Sequence, residues 1–107
     1  MNTVAKLISA RDVCFKLLPI GQSFIAYDIL LLVMHSHISK QNLPLKNLFA
    51  SIPFSVMGAR HHLRRLIGDG WIELVADNKD NRVKICRPTE KLCYRIDLLL
   101  NELKDIQ

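Results

Sequence analysis

The stretch from Ser55 to Ile85 limits what this chain can fold into more than any other: a basic helical segment, a pair of glycines, then a short hairpin. Ser55 is a good N-cap. From Ser55 to about Ile67, the residues Val56, Ala59, Leu63, Leu66 and Ile67 recur at helical spacing and predict one inward-packing face. Gly68 and Gly70 flank its end, and either can take the left-handed stop conformation. Trp71 to Val75 and Arg82 to Arg87 read as strands, the second alternating Val83 and Ile85 against Lys84 and Cys86. Asp77-Asn-Lys-Asp-Asn81 between them is turn chemistry.

The flanking segments supply more helices. Thr3 caps a helix to about Leu18, with Leu7, Ala10, Cys14 and Leu17 in one stripe, and Pro19-Ile-Gly21 ends it. Ser23 caps a second to about Ser36. Phe24, Tyr27, Leu31 and Met34 form one apolar face and Ile25, Ile29 and Leu32 another, the pattern of a helix central to a core. Leu43 suits a short strand, and Pro44 the first turn of a short helix from about Leu45 to Ala50. Ile52-Pro53-Phe54 is the turn before Ser55. Pro88 ends the ribbon, and Thr89 with Glu90 opens a last helix to about Ile106.

The fold class is therefore mostly α with a small β-wing (α+β): a winged helix-turn-helix. The 107 residues fit one domain. Residues 22–87 are expected to form the DNA-binding winged-helix lobe, and residues 1–20 and 89–107 the dimerisation helices. In the last helix Leu92, Ile96, Leu99, Leu103 and Ile106 repeat at alternate spacings of four and three. So much apolar surface on a terminal helix predicts that a second subunit covers it, with help from Leu7 and Leu17 of the first helix. The alternative is that the first helix covers it within one chain.

Charge is localised. Residues 40–87 carry Lys40, Lys46, Arg60, Arg64, Arg65, Lys79, Arg82, Lys84 and Arg87 against only Asp69, Glu73, Asp77 and Asp80, which matches the whole chain's net charge of +5. A local basic excess points to a polyanion. The helix from Ser55 to Ile67 has no acidic side chain, and Met57, Gly58, Arg60, His61 and Arg64 lie opposite its packing face. Arginine can grip guanine edges or phosphate, and the helix start is itself a phosphate site. Small Gly58 would let the helix approach a groove closely. Lys46, Ser55 and Arg65 complete that side, and Lys79, Arg82 and Lys84 put positive charge on the ribbon, whose tip can reach a narrow minor groove.

The order helix, turn, basic helix, Asp69-Gly70-Trp71-Ile72-Glu73, wing, Thr89-Glu90-Lys91 resembles the multiple-antibiotic-resistance regulator (MarR) type of winged helix. Asp77-x-x-Asp80-x-Arg82 is similar to that family's Asp/Arg wing motif. The resemblance covers roughly residues 24–92 and implies a homodimeric bacterial transcription regulator, cytoplasmic and nucleoid-associated. The helix from Ser55 would read the major groove, Arg82 would enter the minor groove, and Asp80 would orient it. Departures are a chain shorter than is usual, Pro88 where leucine is frequent, and Leu92 where glycine often stands. Asp12-Val-Cys14-Phe15 also resembles the Cys-Phe segment of the family's peroxide-sensing branch, where a low-pKa thiolate is oxidised. Leu18 stands where that branch has tyrosine, so Tyr27 is the only substitute, and Cys14 is in register with a packing stripe. A small-molecule or redox effector, bound between the dimerisation helices and the lobe, is the family's further implication.

Other chemistries are poorly served. Cys14, Cys86 and Cys93 have no metal-ligand spacing, and an odd count without a leader fits a reducing cytosol. His61 and His62 project about 100° apart on a helix and cannot chelate one ion. No Ser/His/Asp order, glycine-rich phosphate loop or paired carboxylates suggest an enzyme. Neither metal nor cofactor is expected. The apolar run Ile29 to Met34 is far short of the ~20 residues a membrane span needs. Single-stranded nucleic acid sites usually expose stacking aromatics, whereas Trp71, Phe49 and Phe54 fall where core packing is expected. The main rival is a winged helix that docks protein without reading DNA.

Overall fold

Asn2, not Thr3, opens the first helix: its side chain accepts from the Ala5 amide at 2.7 Å. The computed structural model describes residues 2–21 and 23–106. Its elements are α1 (Thr3–Leu17), α2 (Phe24–Ile38), α3 (Leu45–Ser51), α4 (Val56–Gly68), β1 (Ile72–Ala76), β2 (Lys84–Pro88) and α5 (Glu90–Ile106). Gln22, the expected first residue of the lobe, and Met1 and Gln107 lie outside the described residues. This is the expected α+β winged helix-turn-helix, with α3, the turn and α4 leading into the two-stranded wing.

The core lies where these elements meet. Ile29, Leu30 and Val33 of α2, Leu48 of α3, Leu66 of α4, Ile72 of β1 and Leu92 of α5 are its largest fully buried side chains. Burying each such side chain is worth about 1.5–3 kcal/mol, so α2, which supplies three, is the hub. Ser23 caps α2 as its sequence suggests, and the helix runs two residues past Ser36.

The end of α4 fixes where the wing begins. The Gly70 amide donates to the Ile67 carbonyl at 3.1 Å and the Trp71 amide to Leu66 at 2.9 Å, which is a Schellman closure. Gly70 takes the left-handed φ of 81°, while Gly68 remains helical. A side chain at 70 would meet no atom within 4 Å, so Gly70→Ala should cost backbone strain alone, about 1–2 kcal/mol in urea unfolding.

β1 and β2 pair antiparallel, with Ile72 opposite Pro88 and Ala76 opposite Lys84. Pro88 ends the ribbon as its last paired residue. Simple alternation fails in β2, because Ile85 and Cys86 are both buried. The reason is a third segment. Pro44 bridges Ile85, and the Cys86 amide donates to the Leu43 carbonyl at 2.8 Å, so β2 is covered on its far edge as well.

The start of α5 is tied back to the same junction. The Thr89 hydroxyl oxygen lies 2.7 Å from the Gly70 carbonyl and accepts from the Leu92 amide at 3.3 Å. The Lys91 ammonium donates to the Asp69 carbonyl at 3.0 Å and sits 4.0 Å over the Trp71 ring. Arg95 stacks on the same ring and donates to the Leu17 carbonyl at 3.2 Å, reaching the end of α1. Trp71 therefore locks α1, α4, the wing and α5 together.

Candidate nucleic-acid interface

Helix α4 presents two different surfaces. Gly58, Ala59, His62, Leu63, Leu66 and Ile67 are buried or half-buried, while Met57, Arg60, His61, Arg64 and Arg65 are exposed. Met57, an apolar side chain, is 83% exposed. Three expectations are corrected. Gly58 faces inward: an added Cβ would lie 3.2 Å from Ile25 Cδ1 and 3.2 Å from the capping Ser55 hydroxyl, so its smallness serves the packing of α4 on α2, not approach to a groove. Val56, at the unsupported helix start, is exposed instead of packed. Phe54 is also partly exposed, whereas Trp71 is buried.

Around this face, Ser55 caps α4 by accepting from the Gly58 amide at 3.1 Å. Lys46 is exposed on α3. The Arg60 guanidinium lies 5.1 Å over the Phe49 ring of α3, an arrangement that fixes a long side chain without masking its charge.

His62 behaves differently from its neighbour. Its Nε2 is 3.2 Å from the Ser23 hydroxyl at the cap of α2, and its buried Nδ1 has no hydrogen-bond partner among the described residues. Burial holds the imidazole below its ordinary value of 6.5, with Arg65 and His61 adding to the effect. The folded chain thus binds this proton less readily than the unfolded one. The stability from neutral His62 is full above pH 6.5 and is lost as the pH falls below it towards the folded value. Thermal melts from about pH 8 to pH 5 should show this decline, and His62→Gln should flatten it; an unchanged slope would refute the assignment.

In the wing, Asp80 organises Arg82. Its carboxylate accepts from the Arg82 amide at 3.0 Å, from Nε at 3.1 Å and from the guanidinium at 3.2 Å. The arginine's hydrogen bonds hold the Asp80 carboxyl below its usual range. The Arg82 side chain nonetheless remains 91% exposed, so its guanidinium is aimed but unburied. Lys79 and Lys84 are also exposed. The tip is closed by the Val83 amide to Asp80 at 3.0 Å and the Asp77 amide to Val83 at 2.9 Å.

The sequence matches no protein-family model and no curated protein, but the fold has many relatives. The transcriptional regulator Tm0710 from Thermotoga maritima superposes with a TM-score of 0.70 at 17% identity, over 95% of this chain and 67% of that one. A mutant MarR from E. coli, solved in complex with operator DNA, gives 0.66 at 14% identity, over 96% and 71%. The heme sensor PefR from Streptococcus agalactiae, in complex with heme, gives 0.58 at 20% identity, over 95% and 69%. This chain has the MarR-type winged-helix fold.

Within the MarR-type fold, the expected dimer residues divide. Leu17, Leu92, Ile96 and Leu99 are buried inside this one chain. They are spent where α5 packs on α1 and on the core, and they are not open to a second subunit. Leu103 and Ile106 are half-buried, and Leu7 is 65% exposed. Val4, Ile8, Phe15 and Leu100 are exposed as well. Helical periodicity ranks apolar positions by face but cannot tell which of two apolar faces an intrachain neighbour takes.

Cys14 is half-buried and packs against the core, in keeping with its place in a packing stripe. Burial pushes its thiol above the ordinary value, the opposite of the low-pKa thiolate that the peroxide-sensing resemblance implied. It lines a largely apolar cavity of about 350 Å³ between α1 and α2, with Leu7, Arg11, Phe15, Phe24 and Tyr27. No cluster of His, Cys, Asp or Glu able to hold a metal occurs among the described residues. None of the described helices is long and apolar enough to cross a membrane.

Proposed function

We propose that this chain is a sequence-specific regulator that binds double-stranded DNA, acting at the bacterial nucleoid. Helix α4 enters the major groove and the Asp80–Arg82 wing tip the minor groove. The observation that carries this reading is the outer face of α4, which bears Arg60, Arg64 and Arg65 and no acid. A solvated helix normally mixes charge signs, whereas a polyanion groove favours one. The pre-aimed Arg82 supplies a second contact of the same sign, and the fold is shared with a protein solved on operator DNA.

The working unit is a homodimer on a palindrome, with half-sites about 34–36 Å apart, and repression by occlusion is the simplest output. Two features support a partner. The radius of gyration is 14.7 Å, against about 13 Å for a globular chain of this length. In addition α1 buries only Leu17 of its fifteen residues and leaves Val4, Leu7, Ile8 and Phe15 exposed. The cavity between α1 and α2 is the place for a small apolar effector.

The test is titration of a genomic duplex pool at low salt, with Arg82→Ala alongside, and light scattering after size exclusion. Wild type should bind as a dimer, and Arg82→Ala about tenfold or more weaker. Absence of any duplex binding would sink the reading and favour a protein-docking winged helix. Equal binding by Arg82→Ala would remove the wing from it.

A further inference from the structure

The outer face of α4 is not uniform, and its angular layout divides its side chains by task. The inward direction is set by Gly58, Ala59, His62, Leu63, Leu66 and Ile67. At 3.6 residues per turn, Met57, His61 and Arg64 each project within about 30° of the opposite, outermost direction, while Arg60 and Arg65 project about 70° to either side of it. Of the two flanking arginines, Arg60 is stacked on Phe49 of α3, and Arg65 projects from the opposite flank of α4, three residues after His62.

A helix with side chains is about 10–12 Å across and the major groove about 12 Å wide, so a seated helix fills it. Outermost side chains then meet base edges on the floor, and side chains well to either side meet the phosphate walls. We infer that Met57, His61 and Arg64 are the sequence-reading row of α4, and that Arg60 and Arg65 clamp phosphates on the two opposite strands. This rests on the proposed DNA-binding function and withdraws Arg60 from base reading.

The chemistry of the row indicates its target. The Arg64 fork matches the O6 and N7 acceptors of guanine, an imidazole N–H of His61 can donate to a neighbouring acceptor such as N7, and the Met57 thioether suits the thymine methyl group. Each half-site should therefore contain guanine under the C-terminal half of α4 and thymine near its start.

The experiment is selection from a random duplex pool by wild type, Arg64→Ala, Arg60→Ala and Arg65→Ala. Each protein is then titrated on the selected duplex and on an unrelated one across a salt series. Arg64→Ala should lose preference for guanine at one position, with discrimination falling about tenfold or more. Arg60→Ala and Arg65→Ala should select the wild-type sequence, weaken on both duplexes by the same factor, and show a salt slope smaller by about 2 each, one phosphate contact being lost from each protomer of the dimer. A changed base preference in Arg60→Ala, or equal weakening of both duplexes by Arg64→Ala, overturns the division. Wild type that binds duplex without selecting any sequence overturns the reading row but leaves duplex binding intact. Failure to bind duplex at all overturns the proposed function itself and this inference with it.

Discussion

Raising the salt from about 50 to about 200 mM should weaken duplex binding by roughly a thousandfold or more. Lys46, Arg60, Arg64, Arg65, Lys79, Arg82 and Lys84 are all exposed on α3, α4 and the wing. Should three to five of them reach phosphate in each protomer, a dimer would release about 6–10 counterions, and the logarithm of affinity would fall linearly with that of salt. Fluorescence anisotropy of a labelled duplex over that range measures the slope. A flat profile would mean that these cations do not meet phosphate, and the interface would have to be sought elsewhere. The Arg82–Asp80 pair matters here because it orders a 91% exposed arginine before DNA arrives, so less side-chain freedom is lost on binding.

Leu92→Ala should lower stability by about 2–5 kcal/mol. Leu92 is fully buried at the start of α5, directly after the Thr89 cap. Truncation leaves a cavity where α5 enters the core, next to the Trp71 junction that holds α1 and the wing in place. The midpoint of thermal unfolding should drop by about 10 °C or more. Leu100→Ala is the control on the same helix. Leu100 is 47% exposed, and its truncation should leave unfolding of the single chain little changed. Equal losses from the two variants would place the stabilising surface of α5 between chains and not within one.

Local chemistry made most of the fold legible. Ser23 and Ser55 are caps because a short hydroxyl can satisfy an otherwise unpaired helix-start amide, and both cap as their sequence contexts indicate. Boundaries moved where two residues compete for one task. Asn2 displaced Thr3 as a cap, and Gly70 took the left-handed stop that Gly68 could equally have held. The alternation in β2 misled because the Leu43–Pro44 segment, about forty residues earlier, covers the ribbon's second edge.

The sequence by itself determined the order of elements, the acid-free outer face of α4 and the Asp80–Arg82 spacing in the wing, since caps, periods and charge are properties of neighbours along the chain. Only the tertiary structure decided which apolar faces are already occupied. It placed Gly58 against Ile25, consumed Leu17, Leu92, Ile96 and Leu99 within the chain, and left Val4, Leu7, Ile8 and Phe15 exposed. Period and hydropathy say that a face must be covered, but what covers it depends on contacts between residues far apart in sequence, which no local pattern encodes.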